Sequence, residues 1–235
     1  MTNDILISSI KKNSYDISAW FEKHQKRIPI PFLTSITIRD GGFKIGSPES
    51  HLFPVGVNNL CKKDLGQAPQ LIKKFFKRYH ADVGKIKYVI VLATVENPNP
   101  FYYEHLLTLE SLLKRSGIKP VLATLENIAQ PVTIKTPSKK SIKIVKAFIK
   151  GRKLQTADGI ADFIYVSYPF SLDVKRQLSD LTQTINPPIK VLARTEKRSE
   201  YLFLFNQLDN LSKEQCNPCA PFHGILFETE VVGFG

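Results

Sequence analysis

The amino-acid sequence predicts an α/β protein with a mostly parallel, helix-flanked sheet and a basic hairpin at the edge of that sheet. Residues 87–94 and 162–168 form near-continuous apolar runs, a pattern typical of strands buried on both faces of a parallel sheet. Amphipathic segments of helical period lie between such runs, so strands and helices alternate along the chain. With 235 residues, the chain is long enough to bury a substantial core.

The N-terminal part of the chain predicts one helix and one strand. The helix covers residues 17–28 and ends where Pro29 and Pro31 interrupt it. Four residues share its apolar face: Ile17, Trp20, Phe21 and His24. Residues 32–38 then alternate apolar and small polar residues with β-branched side chains, which predicts the first strand.

A long loop is predicted after this strand, over residues 39–59. Its adjacent glycines at 41 and 42 allow positive φ angles and a close approach of the backbone to another group. Loops of this length in compact domains are usually functional or disordered, and the six apolar residues within this one argue against disorder. Four of its polar residues suit an anionic, amino-acid-like or phosphorylated ligand: Arg39, Lys44, Asn58 and Asn59. Alternatively, these side chains hold the loop together by their own hydrogen bonds.

The middle of the chain predicts two further helices and two strands. The first helix covers residues 64–80, with an apolar stripe formed by Leu71, Ile72, Phe75, Phe76 and Tyr79. After the strand at 87–94, a second helix covers residues 101–115 and is followed by Gly117, which suits a C-terminal cap. A strand at 120–125 completes a strand–helix–strand unit, in which the two strands are parallel.

Glu96 and Asn97 directly follow the buried strand at 87–94. Open α/β sheets bind ligands at the carboxyl ends of their strands, so both residues are candidates for lining a substrate cleft. Their alternative role is to cap the free amides at the start of the next helix.

Much of the positive charge lies in one segment of the chain. The formal net charge is +12, and eight cations occur between residues 135 and 153 without an acid: Lys135, Lys139, Lys140, Lys143, Lys146, Lys150, Arg152 and Lys153. Residues 131–149 alternate apolar and basic residues around a turn at Pro137 and Ser138, which predicts an edge hairpin. Lysines on an exposed edge strand discourage aggregation, and they could instead bind nucleic acid or an acidic partner. Nucleic acid is the weaker option, because Phe148 is the one aromatic residue in the segment.

The remaining elements continue the alternation. After the strand at 162–168, the pattern predicts a helix over residues 172–185, a strand over 189–193 and a helix over 200–212. Between the last two lies a basic loop that contains Arg194, Lys197 and Arg198. Cations and free amides together make such a loop at a helix start a candidate anion site.

Four segments resemble the proteobacterial glutamate–cysteine ligase family typified by Acidithiobacillus. The strings R-D-G-G-F-K and H-L-F-P-V-G-V-N-N-L are similar to that family's R-N-A-G-F-K and N-L-F-P-x-G-F-N-N-L, and the departures include Asp40, Gly41 and His51. Glu96-Asn97 with the following Phe-Tyr resembles the corresponding strand end, and the loop at 194–199 resembles R-R-K-S-x-H-F. The resemblance covers about residues 31–212.

The resemblance implies the N-terminal half of an ATP-grasp-like enzyme, with a pre-ATP-grasp-like fold. It implies ATP-dependent formation of γ-glutamylcysteine from L-glutamate and L-cysteine, the first step of glutathione biosynthesis, with ATP and Mg²⁺ as cofactors. The substrate-binding residues would be Arg39, Lys44, Asn58, Asn59, Glu96, Asn97, Arg194, Lys197 and Arg198; the catalytic residues stay unknown. No segment matches the family's nucleotide-binding half, so a truncated ligase, one piece of a split enzyme and a stand-alone binding domain are all open. The alternative function is a non-catalytic basic module for nucleic acid or an acidic partner.

These patterns divide the chain into three parts. Residues 1–30 form an N-terminal helical segment, residues 31–193 an α/β substrate-binding domain, and residues 194–235 a basic loop, helix and tail that would begin the ATP-grasp region. No membrane span or signal peptide is predicted, which favours the cytoplasm. Three cysteines give no disulfide framework, and Cys216 with Cys219 supplies half of a zinc pattern, so no metal site is predicted.

Overall fold

The computed structural model describes residues 8, 11–25, 31–40, 45–51, 53–79, 86–188 and 227–234. The chain divides into two compact units. The first comprises Met1–Ile30, Ile36–Ser50 and Arg194–Val231, and the second comprises Pro31–Ser35, His51–Ala193 and Val232–Gly235. The three-part division that the sequence suggests stays a prediction.

The first unit contains one described helix and most of a three-stranded sheet. Helix α1 spans Ser14–Gln25, three residues earlier than the predicted start. The sheet has the order β12-β1-β2, with β1 at Leu33–Asp40, β2 at Ile45–His51 and β12 at Phe227–Phe234. The prediction of an uninterrupted loop over residues 39–59 is therefore wrong, because β2 lies within it. Pro48 made this segment look like a loop, but prolines are tolerated in edge strands such as β2.

The second unit is built on a six-stranded central sheet with a separate three-stranded sheet. Its strands are β3 (Tyr88–Leu92), β4 (Lys119–Thr124), β5 (Val132–Lys135), β6 (Ser141–Lys146), β7 (Phe148–Lys150), β8 (Lys153–Thr156), β9 (Gly159–Ile160), β10 (Phe163–Val166) and β11 (Thr184–Asn186). The central order is β11-β10-β3-β4-β6-β5, and every neighbouring pair is parallel except β5 with β6. The predicted mostly parallel sheet and its antiparallel edge hairpin are confirmed.

Alternating side chains of the central strands serve two cores. Helices α2 (Lys62–Tyr79) and α3 (Phe101–Arg115) pack in one core with Val89, Val91 and Tyr165. Ile90 and Leu92, which point the opposite way, pack in the other core with residues of helix α4 (Leu172–Ser179) and of the β7-β8-β9 sheet. Because both faces are covered, all residues of β3 and β10 are buried, which explains their continuous apolar sequences.

The predicted helices at 64–80 and 101–115 are found nearly at their predicted bounds. Gly117 follows α3 with a φ angle of +78°, which is the conformation expected of a C-terminal cap glycine. In α2, Ile72, Phe75 and Phe76 of the predicted stripe are buried, whereas Leu71 is exposed.

One prediction for the second unit is wrong. The helix predicted over residues 172–185 ends at Ser179, and Ile185 lies instead in β11, paired with Ile164 of β10. The apolar residues of a helical stripe can equally fit a short strand, so the sequence pattern alone does not distinguish a helix from a strand here. The confirmed edge hairpin ends at Lys146, three residues before the predicted end, and the strands β7, β8 and β9 were not predicted. The strand predicted at 189–193 and the helix predicted at 200–212 lie outside the described residues.

Candidate functional site

The candidate site lies where the parallel strands β3, β4 and β10 end. Three loops begin there: residues 93–100 after β3, residues 125–131 after β4, and residues 167–171 after β10. Since neighbouring parallel strands end at one edge of the sheet, these loops lie side by side.

The loop after β3 is held by its own short polar side chains. The Thr94 hydroxyl accepts from the Glu96 amide at 3.2 Å and donates to the Glu96 carbonyl at 3.1 Å. Asn97 Oδ1 accepts from the Asn99 amide at 2.9 Å, and Asn99 Oδ1 accepts from the Phe101 amide at 3.0 Å. The capping role considered for Glu96 and Asn97 therefore falls to Asn99. The Glu96 side chain is exposed and makes no hydrogen bond with any described residue, so it is available to a ligand.

Tyr103 fixes the backbone of this loop, and Glu126 joins it to the next one. Its hydroxyl donates to the Val95 carbonyl at 2.8 Å and accepts from the Asn97 amide at 2.9 Å. Glu126, in the loop after β4, accepts from the Val95 amide at 3.3 Å. Burial raises the pKa of Tyr103, the Asn97 bond opposes the shift, and the charges of Glu126 and Glu96 add to it. Both carboxylates therefore lie within electrostatic reach of one neutral hydroxyl group.

Tyr102 links the ends of β3 and β10 below the loops. Its hydroxyl accepts from the Thr94 amide at 3.3 Å and lies 2.8 Å from the Ser167 hydroxyl, which donates to the Leu92 carbonyl at 2.7 Å. Since Ser167 uses its proton on Leu92, Tyr102 is the donor in their bond. Tyr102 and Ser167 are both buried, and burial raises the pKa of Tyr102, so the network keeps one hydrogen-bonded arrangement.

Asn58 and Asn59 end a 3-10 helix, Val57–Asn59, that rests on α3. His105 Nδ1 of α3 accepts from the Gly56 amide at 3.4 Å and from the Val57 amide at 3.3 Å. His105 is buried, which lowers its pKa to about 4, and a neutral ring with a free Nδ1 is the form that can accept both bonds. The Asn58 amide group donates to Asn59 Oδ1 at 2.9 Å. Asn58 Oδ1 is buried without a hydrogen-bond partner, and Asn59 is exposed.

Side chains of helix α3 therefore hold in place two groups of predicted site residues. Tyr102 and Tyr103 hold the loop with Glu96 and Asn97, and His105, one turn further along, holds the turn with Asn58 and Asn59. For Arg39 only the backbone, within β1, is described. Four predicted residues lie outside the described part of the chain: Lys44, Arg194, Lys197 and Arg198. The ligand contacts of all nine residues stay predictions.

Neither a free helix start at α3 nor a metal-binding cluster is found among the described residues. The amides at the start of α3 already bond to Asn99 and Pro100, so they are not free to hold a phosphate. In the described part of the chain, no group of three or more His, Cys, Asp or Glu residues could hold a metal ion. Cys216 and Cys219 lie outside that part.

Sequence reasoning missed several residues that build this edge, among them Glu126, Tyr102 and Ser167. Glu126 directly follows the predicted strand at 120–125, just as Glu96 follows its strand, so the argument used for Glu96 could have found it. Tyr102 and Ser167 carry no comparable signal, because their bond joins residues 65 positions apart in the chain.

Comparisons with known proteins support one family. The model of the glutamate-cysteine ligase (GshA) family matches residues 8–218, which is most of the chain. No curated protein matches the chain significantly. Among the described residues, no helix combines the length and the apolar composition needed to cross a membrane.

A crystal structure from Methylobacillus flagellatus KT, named as a candidate gamma-glutamylcysteine synthetase, has a similar fold. The TM-score is 0.76 at 20% sequence identity, and the match covers 91% of this chain and 50% of that chain. The chain thus spans about half the length of this relative. From the family match over residues 8–218, the chain belongs to the glutamate–cysteine ligase family.

Proposed function

We propose that this chain supplies the amino-acid-binding part of an ATP-dependent glutamate–cysteine ligase. The observation that carries the proposal is the family match over residues 8–218. The overall reaction joins the γ-carboxyl group of L-glutamate to the amine of L-cysteine. The remaining part of the enzyme would be a C-terminal half, in the same polypeptide or in a separate one, and would bind ATP and Mg²⁺.

The loop edge is suited to the ammonium group of an amino acid. Glu96 offers an exposed carboxylate on a loop whose backbone is fixed by Thr94 and Asn97, so binding would order little more than one side chain. Glu126 adds a second negative charge beside Tyr103. A carboxylate that accepts from an ammonium group forms a charge-assisted hydrogen bond, which is among the stronger polar contacts.

The carboxylates of the substrates require cations. Arg39, Lys44 and the loop with Arg194, Lys197 and Arg198 would serve this purpose, because guanidinium and ammonium groups pair with carboxylates. Asn58 and Asn59 would contribute amide donors and acceptors. This half of the enzyme would act by positioning its substrates, since a fixed orientation lowers the entropic part of the barrier. ATP would supply the activation of the γ-carboxyl group.

Calorimetric titration of the purified chain with L-glutamate, and separately with L-cysteine, tests this proposal. We expect saturable binding of at least one of them. The Glu96→Gln substitution should weaken binding by about tenfold or more, because it removes a charge-assisted hydrogen bond. Glu110→Gln is the control, since Glu110 lies on α3, outside the loop, and pairs with Lys114. If both variants bind the amino acid equally well, Glu96 is not part of the binding site.

The reaction itself is tested by mixing the chain with a C-terminal half taken from a full-length family member. We expect ATP hydrolysis that requires L-glutamate, and we expect Arg39→Ala and Asn59→Ala each to abolish it. If the mixture is active and both variants keep full turnover, the assigned roles are wrong. If neither the chain nor the mixture binds L-glutamate or L-cysteine, the proposed function is wrong.

A further inference from the structure

The three-stranded sheet β7-β8-β9 has one buried face and one exposed face. Ile149 pairs with Leu154, and both pack in the core that contains Ile90 and Leu92. Thr156, on the same face as Leu154, bonds to the buried hydroxyl of Tyr88 at 2.6 Å. Since side chains alternate along a strand, the residues between these positions point away from the core.

The outward face carries apolar residues where polar ones are expected. Phe148 pairs with Gln155, which in turn pairs with Ile160, so the three side chains form one row across the sheet. Phe148 is 43% exposed and Ile160 is 49% exposed. An antiparallel sheet normally presents polar residues on its solvated face, so this row departs from the expected pattern.

Two lysines lie beside the row on the same face. Lys150 pairs with Lys153 across β7 and β8, and neither forms an ion pair with any described residue. Like charges directly opposite each other are unfavourable, and a negatively charged partner would relieve them. Both lysines belong to the segment 135–153, which contains eight cations, all exposed, and no acidic residue.

We propose that this outer face docks an acidic protein surface whose carboxylates flank apolar side chains. The apolar row would pack against the partner's apolar side chains, and Lys150 and Lys153 would meet its carboxylates. A nucleic acid fits less well, because Phe148 is the one aromatic residue on this face and Ile160 cannot stack on bases as an aromatic ring does. A second copy of the chain also fits less well, because each copy carries a net charge of +12.

The inference does not depend on the proposed ligase function. The docking face uses no residue of the three loops or of the turn with Asn58 and Asn59. Substrate binding and docking can therefore be tested on separate variants, and the failure of one leaves the other in place.

The test uses a fluorescein-labelled peptide of alternating Glu and Leu residues, with fluorescence anisotropy as the readout. We expect the full chain to bind it and Phe148→Ser combined with Ile160→Ser to weaken binding by about tenfold, since each apolar contact adds affinity. Leu172→Ser is the apolar control, because Leu172 is 71% exposed and lies on α4 outside this sheet. Lys150→Gln combined with Lys153→Gln should also weaken binding, while Lys74→Gln on α2, also exposed, should not.

Salt and competition complete the test. Raising the salt from about 0.05 M to about 0.5 M should weaken peptide binding, because the screening length falls to a few ångströms. A single-stranded oligonucleotide of equal charge should compete poorly. Undetectable peptide binding, unchanged binding by the Phe148→Ser/Ile160→Ser variant, or stronger binding of the oligonucleotide would each overturn the proposal. Circular dichroism of each variant confirms that it is folded.

Discussion

His105 provides a test of how the turn with Asn58 and Asn59 is held. The ring is buried, and its Nδ1 accepts from the amides of Gly56 and Val57. The change to make is His105→Asn, because Asn Oδ1 occupies nearly the position of Nδ1 and can accept the same bonds, but it does not titrate. Comparison with the unchanged chain separates the protonation of the ring from its packing.

The size of the expected loss of stability follows from the pKa of His105. Burial lowers the pKa of His105 from 6.5 to about 4. The neutral form thus favours the folded state, and its stability contribution is fully present above pH 6.5 and is lost as the pH falls toward 4. At about 1.36 kcal/mol for each pKa unit, the loss totals about 3 kcal/mol, of which about 2 kcal/mol has occurred by about pH 5.

The assay is urea unfolding followed by circular dichroism at about pH 7.5 and about pH 5, for the chain and for His105→Asn. Both proteins lose stability through their other ionisable groups, so the difference between them isolates His105. We expect the chain to lose about 2 kcal/mol more than the variant over this interval. Parallel losses would refute the reasoning, since they would mean that the ring titrates alike in the folded and unfolded states.

Three further substitutions test hydrogen bonds and backbone geometry in the second unit, each read as a change in the free energy of unfolding. Tyr102→Phe removes the hydroxyl group that donates to Ser167 and should cost about 1–3 kcal/mol; a cost below the error would show that the buried bond contributes nothing. Asp162→Ala removes the acceptor of the Tyr88 amide at 2.8 Å and should cost about 1–2 kcal/mol, whereas Asp162→Asn, which keeps an acceptor, should cost less. Gly117→Ala places a side chain at a φ of +78° with open space around it, so we expect a loss of about 1 kcal/mol from backbone strain alone; an unchanged stability would contradict that strain.

The central sheet could be predicted because its signal is local. Every residue of β3 and β10 is buried, so each strand appears in the sequence as a continuous apolar run. Helix α3 has the predicted bounds, since its apolar period and the following Gly117 are both readable from neighbouring residues. The position of Glu96 and Asn97 at the end of β3 followed from the same local patterns.

The smaller elements could not be predicted in the same way. Strand β2 contains Gly46 and Pro48, and it is a strand because β1 lies beside it as a pairing partner. Strands β7 to β9 are two to four residues long, too short for a clear alternation. Ile185 fitted a helical stripe, and its pairing with Ile164 of β10 decided that it is in a strand.

The sequence by itself determined the α/β class, the parallel strands and their helices. A strand buried on both faces gives a continuous apolar run and a helix gives an apolar period, so both can be recognised from neighbouring residues. It also determined the family, through short motifs whose order and spacing are kept. Only the tertiary structure decided that Tyr102, His105 and Glu126 hold the loops of the candidate site and that Phe148 and Ile160 share an exposed face. The physical reason is that these features depend on how separate segments of the chain are brought together, and no local pattern encodes which segment will supply the neighbour.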